Sequence, residues 1–303
     1  MSEIITISTI IRAKVEDVFD TYLNPEDNRR WSTAGGGWSV GKVSIDPKVG
    51  GKWSIEFKDA AGVHDFEFGG VYTEIIPNQK IVYAMRKEIA DIAADDRFGT
   101  VTFEADTPIK GNTTVTISFT TEDTNSLEQQ RAGWSAILEN FKKHTKRKYN
   151  PNNAVILKTI EIPVSSKKVW ETLWSKQTYP LWTTSFCDGS CYEGELEYDK
   201  KVRFMSPDGS GLSSLVKVSI PYFQMSFEHL GSIVAEFEDL DNPEFAGWKG
   251  ARETYTLTEK TLDTSTTTTT LEIYQEITKK EYNHFDKKWD EALAKIQTLC
   301  QTN

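Results

Sequence analysis

The sequence predicts an α+β chain made of two copies of one domain, each an antiparallel sheet closed by a long C-terminal helix. Three observations carry this. Between Arg131 and Lys148, the apolar residues Trp134, Ile137, Leu138 and Phe141 recur at i, i+3, i+4 and i+7, one stripe of a helix whose other face is polar. At the end of the chain, Trp289, Ala292, Leu293, Ile296 and Leu299 repeat that stripe. Residues elsewhere match in step: Ile11, Val18, Phe19 and Trp31 lie 151 positions before Ile162, Val169, Trp170 and Trp182. Ile75, Pro77, Ile81 and Tyr83 lie 144 positions before Ser219, Pro221, Met225 and Phe227, a drift that loops of different length produce.

In the first copy, Ile4 to Arg12 reads as a strand rich in β-branched residues, and Ala13 to Leu23 as a short amphipathic helix. Asn24-Pro25 breaks it, and a second short helix ends at Trp31. Gly35-Gly36-Gly37 is a turn and not a phosphate loop, because a strand pattern follows it and no helix with a basic residue does. About six alternating segments come next. Trp53, Ile55 and Phe57 oppose Ser54 and Glu56; His64, Phe66 and Phe68 oppose Asp65 and Glu67; Val115, Ile117 and Phe119 oppose Thr114, Thr116 and Ser118. Turn residues at Gly50-Gly51, Ala61-Gly62, Pro77-Asn78 and Gly111-Asn112 separate them.

The polar, helix-breaking segment Tyr149 to Asn153 links domain 1–149 to domain 154–303. The second copy opens with a strand at Ile156 to Pro163 and a helix at Lys167 to Trp174. Strands follow at Lys201 to Met205, Leu212 to Ile220, Phe223 to Glu228, Arg252 to Thr258 and Ser265 to Gln275, the last containing five consecutive threonines that suit a strand. The acidic stretch Glu236 to Glu244 has no counterpart in the first copy. It lacks the glycine and spacing of a calcium loop and reads as a solvated insertion.

Composition narrows the function. The chain has 303 residues, 38% hydrophobic and 26% charged, which suits two domains with cores of their own. A net charge of −10 disfavours nucleic acid and anionic membrane surfaces as partners. No apolar run is long enough to insert in a membrane and Met1-Ser-Glu-Ile-Ile is no secretory leader, so a cytoplasmic location is expected. Cys187, Cys191 and Cys300 form neither a disulfide framework nor a recognisable zinc spacing. No metal and no cofactor is expected.

Several motifs together resemble the START-like (SRPBCC, helix-grip) superfamily, and within it the branch of the heat shock protein 90 ATPase activator homologues. They are Val18-Phe19-x2-Tyr22-x-Asn24-Pro25-Glu26 ending in Trp31, Asp46-Pro47-x2-Gly50-Gly51, Gly69-Gly70-x-Tyr72-x-Glu74-x2-Pro77, Gly111-x-Thr113-x-Val115 and Gly133-Trp134-x3-Leu138-x2-Phe141. The second copy is more divergent. It keeps Val169-Trp170, Trp182, Pro221 and the Trp289 helix, and has Asp208-Gly209-Ser210-Gly211 in place of the earlier Gly-Gly. The resemblance implies a curved antiparallel sheet wrapped around the long C-terminal helix, with a cavity between them that in other members holds lipids, sterols, polyketides or plant hormones.

On that fold the cavity wall is expected from Trp53, Phe57, Phe66, Phe68, Tyr83, Trp134 and Leu138 in the first domain. In the second it is expected from Phe204, Phe227, His229, Tyr255, Trp289 and Leu293. Each of these side chains would equally serve as plain core. Alternation puts His229 on the inward side with Met225 and Phe227, where the ring needs a partner, most simply a backbone carbonyl. His64 and Asp65 are adjacent on a strand and point apart, so they form no dyad. Arg97 with Asp95 and Asp96 reads as a surface turn. No Gly-x-Ser-x-Gly elbow and no facing carboxylate pair is visible.

The leading expectation is therefore non-catalytic binding of a small apolar molecule, lipid or polyketide-like, in one or both cavities. Activation of the heat shock protein 90 ATPase, with that chaperone as a partner, is an alternative. It is weakened because the Asn-x-x-Asn-Trp-His-Trp signature of the well-known activators does not occur. A polyketide cyclase or hydrolase with His229 or His64 as base is a third reading, and a second domain that only docks is a fourth.

Overall fold

The computed structural model describes residues 3–62, 65–86, 97–106, 111–261 and 267–302, and the statements below concern these. The chain divides into two compact units that part between Asn150 and Pro151. His64, Asp95 and Asp96 lie outside the described residues.

The first unit begins with β1 (Ile4–Ile11), α1 (Val15–Leu23) and α2 (Pro25–Trp31). It continues through β2 (Ser39–Ile45), β3 (Lys52–Lys58), β4 (Asp65–Ile76), β5 (Lys80–Arg86), β6 (Phe98–Ala105) and β7 (Thr113–Thr120) to α3 (Leu127–Lys148). The strands form one antiparallel sheet in the order β1-β7-β6-β5-β4-β3-β2. The first strand thus pairs with the last, and Ile5 faces Phe119 across them. Asn24 caps α2 through its side-chain oxygen, which accepts from Glu26 N and Asp27 N. Ser126 and Gln129 form a reciprocal capping box at the start of α3, and Lys146, Arg147 and Lys148 complement its C-terminal dipole. Leu138 and Phe141 of that helix are buried against Tyr22, Trp31 and the inner face of the sheet. Gly35, Gly36 and Gly37 all have positive φ, a run that only glycine adopts without strain. At Gly70 the demand is space: an added Cβ would stand 2.0 Å from the Ala84 carbonyl oxygen.

The second unit repeats the plan with β8 (Asn153–Ile162), α4 (Ser166–Trp174), α5 (Tyr179–Thr183), β9 (Cys191–Gly194), β10 (Lys201–Met205), β11 (Gly211–Ile220) and β12 (Gln224–Val234). β13 (Phe237–Asp239), β14 (Arg252–Thr261), β15 (Thr267–Thr278) and α6 (Tyr282–Gln301) complete it. The sheet order is β8-β15-β14-β12-β11-β10-β9, with β13 paired to β12. Trp289, Ala292, Leu293, Ile296 and Cys300 form the buried stripe of α6, and full burial of side chains such as Ile296 contributes about 1.5–3 kcal/mol each.

Several repeat-matched positions agree in burial: Ile11 with Ile162, Val18 with Val169, Trp31 with Trp182, Ile81 with Met225 and Tyr83 with Phe227 are all buried. Two pairs differ: Phe19 is buried and Trp170 half-buried, and Trp134 is half-buried and Trp289 buried. β12 runs six residues beyond the expected Glu228 because it is covered on both faces and shows no alternation to read. The acidic stretch is largely exposed, as expected of a solvated insertion, and it is also tied to the sheet. Ala235 and Glu236, both at positive φ, turn β12 into β13, and Lys201 and Arg203 bind this hairpin through Glu238 Oε2 at 2.9 Å and the Glu236 carbonyl at 2.6 Å.

Candidate functional site

The second domain holds a cavity of about 240 Å³ lined by residues of β9 to β12, β14, β15, α5 and α6. Its walls are largely aromatic. Trp182 and Trp289 stack with ring centroids 6.2 Å apart, Phe186 meets Trp289 edge-on at 5.0 Å, and Phe285 meets Trp248 at 5.4 Å. Trp248 comes from the segment after the acidic hairpin, so that segment supplies one wall of the cavity. Its indole N–H donates to Glu281 Oε2 at 2.8 Å, which fixes the ring. Cys187 and Cys191 line the same cavity as free thiols.

One side of this chamber is polar, and register builds it. Glu253 and Tyr255 are two residues apart on β14 and share a face, while Gln275 on β15 sits directly opposite Glu253. Glu253 Oε1 accepts from the Tyr255 hydroxyl, and Oε2 accepts from Gln275 Nε2 at 2.8 Å. Gln275 Oε1 in turn accepts from Trp289 Nε1 at 2.8 Å, tying the cluster to α6. His229 on β12 is 1% exposed. Its Nδ1 lies 2.9 Å from Ser214 Oγ, while its Nε2 has no hydrogen-bond partner and stands 3.5 Å from Glu253 Oε2. Burial alone would raise the Glu253 carboxyl, but the nearby imidazole and the Tyr255 and Gln275 donors outweigh it and hold the group below the usual carboxylate range. Burial, followed by the adjacent Glu253 charge, pushes the Tyr255 phenol well up.

The first domain carries two adjoining spaces. The larger, about 560 Å³, is open to one side and walled by Trp38, Phe57, Phe66, Phe68, Phe119 and Trp134. Phe57 stacks on Phe66 at 5.1 Å and Trp134 on Phe119 at 4.7 Å. On α3, Gly133 faces this space, and an added Cβ would touch nothing within 4 Å. The smaller, about 80 Å³, lies deeper among Tyr22, Trp31, Trp53, Tyr72 and Tyr83, with Phe57, Phe68 and Trp134 between the two. The indole nitrogens of Trp31 and Trp53 are buried there without acceptors. Burial pushes the Tyr83 phenol up to about 12.

Of the residues expected on the walls, Phe57, Phe66, Phe68 and Trp134 line the larger N-terminal space, and Trp53 and Tyr83 only the deeper one. Phe204, His229, Tyr255 and Trp289 line the C-terminal cavity. Three expected positions lie elsewhere. Leu138, Phe227 and Leu293 line none of these spaces; they are packed behind the wall, where the same inward periodicity also places core residues. The partner of His229 is also not a backbone carbonyl but the Ser214 hydroxyl. Glu253 and Gln275 were not expected. An acidic residue two places before an inward tyrosine was the available signal, and its strand partner was not readable without register.

Residues 12–146 match the sequence profile of the family described as Activator of Hsp90 ATPase homolog 1-like protein. No curated protein sequence matches the chain. Among solved structures, the AHSA1-like protein from Aeromonas hydrophila is 27% identical, with 48% of this chain and 94% of that chain covered and a TM-score of 0.42. Chr148 from Cytophaga hutchinsonii is 30% identical over 48% of this chain and 92% of that one, at 0.40. The di-domain ARO/CYC StfQ from the steffimycin biosynthetic pathway is 10% identical but covers 98% of this chain and 97% of its own, with a TM-score of 0.50. At that identity the likeness concerns the fold, over both domains.

Proposed function

We propose, for this tandem of START-like helix-grip domains whose first copy is similar to the Activator of Hsp90 ATPase homolog 1-like proteins, that the first domain binds a small apolar molecule beside α3. The observation that carries the reading is the 560 Å³ space walled by paired aromatic rings. That volume falls within the range of roughly 300–1,000 Å³ usual for ligand pockets. Phe66 supports it further, being 49% exposed at the rim while stacked on Phe57, a large apolar surface left toward solvent where a ligand would cover it.

The test uses N-phenylnaphthylamine, a neutral aromatic probe that fluoresces in apolar surroundings. Gly133→Leu projects a side chain into the space and replaces glycine by a better helix former, so the helix is not weakened. The wild-type chain is expected to bind the probe and Gly133→Leu to bind it at least about tenfold more weakly, with the thermal midpoint kept or raised. A folded variant that binds as well as wild type removes this space as the site. Native mass spectrometry of the gently purified protein, followed by solvent extraction, then identifies any resident ligand.

A further inference from the structure

The C-terminal cavity differs from the N-terminal one in charge. Among its lining residues there is a carboxylate, Glu253, and neither lysine nor arginine. The hydrogen-bond donors that hold this carboxylate, Tyr255 and Gln275, are neutral, so they solvate its charge without cancelling it. Beside it stands the side chain of His229, 1% exposed, with its Nε2 3.5 Å from Glu253 Oε2. The rings of Trp182, Trp248, Trp289, Phe186 and Phe285 line the same cavity as this carboxylate. Aromatic faces attract cations, and a buried carboxylate calls for an opposite charge or a donor. An anionic head group meets repulsion here, which excludes fatty acids. The 240 Å³ volume, below the usual pocket range, also excludes long chains.

We infer that the C-terminal cavity is a binding site for a compact organic ammonium ion, whose N–H groups donate to the Glu253 carboxylate while its carbon body lies among the tryptophan and phenylalanine rings. The site is separate from the one proposed in the first domain, and neither stands or falls with the other.

Calorimetry on the full chain with three probes of one shape decides the matter: benzylammonium, benzyl alcohol and benzoate. Benzylammonium is expected to bind at least about tenfold more tightly than the alcohol, and benzoate not to bind. Glu253→Gln keeps the size of the side chain and an oxygen that can accept from Tyr255, and is expected to bring the amine down to the affinity of the alcohol. Gly133→Leu leaves amine binding unchanged. Equal binding of amine and alcohol, no binding of the amine at millimolar concentration, or full amine affinity in a folded Glu253→Gln variant each overturns the inference. Preferential binding of benzoate does so too, because His229 would then carry a proton and set the sign of the site. If Glu253→Gln fails to fold, the comparison of the three probes on the wild type decides alone.

Discussion

His229 Nε2 and Glu253 Oε2 stand 3.5 Å apart on the neighbouring strands β12 and β14, side by side and too far apart for a normal N–H···O bond. The pair is held in that state from outside. Ser214 fixes the imidazole from behind, and the carboxylate is drawn the other way by Tyr255 and Gln275. The matched helices of the two domains use their tryptophans differently as a result. Trp289 donates its indole N–H into this polar chain, while Trp134 is half-buried and stacks on Phe119 beside an open space.

Trp289→Phe keeps most of the buried ring and removes the bond to Gln275 Oε1. The amide is left with an unpaired oxygen in the interior, so a loss of about 1–3 kcal/mol is expected. Denaturant unfolding should show a lower midpoint at an unchanged slope. An unchanged midpoint would mean that the hydrogen-bond chain does not tie α6 to the sheet.

Most of this architecture was legible because it follows periodicity. The stripes of α3 and α6, the helix pair before the first sheet and the internal repeat all came from spacing, and Leu138 and Trp289 are both buried where the stripes put them. The cavity walls were less legible, since inward-facing wall and inward-facing core share one period: Phe227 and His229 differ by two residues, and only the second borders the cavity. Glu253 was invisible for another reason. Its role depends on lying opposite Gln275 and beside His229, a matter of register between strands far apart in sequence. Trp248 depended on where an insertion with no repeat partner returns to the fold.

In the first domain Asp27 joins α2 to the end of α3, accepting from His144 Nε2 at 2.9 Å and Lys148 Nζ at 2.5 Å. Burial raises its carboxyl, and the hydrogen bonds and charges of His144 and Lys148 outweigh that and lower it. A carboxylate whose folded-state pKa is depressed stabilises above its unfolded value, near ~3.9, and loses that contribution as pH falls through the folded-state value. Asp27→Asn is expected to cost about 1–2 kcal/mol at neutral pH, discounted for the exposure of Lys148. Thermal midpoints of variant and wild type should converge below about pH 4. A gap that stays constant down to pH 3 would show that the charge of Asp27 is not what matters.

Core and wall can be separated in the first domain by two truncations. Leu138 is 3% exposed and borders neither N-terminal space, so Leu138→Ala removes packing alone and should cost about 2–5 kcal/mol. Phe66 is half-exposed at the rim, where its loss leaves no closed cavity, so Phe66→Ala should cost less than about 1 kcal/mol. The ligand reading reverses the ranking for N-phenylnaphthylamine: Phe66→Ala weakens the probe several-fold, whereas Leu138→Ala, measured where it remains folded, leaves its affinity nearly unchanged. Unfolding midpoints and probe titrations on the same two variants give the four numbers needed. If probe affinity follows stability in both variants, the probe reports the integrity of the fold and not a site at the Phe57–Phe66 rim.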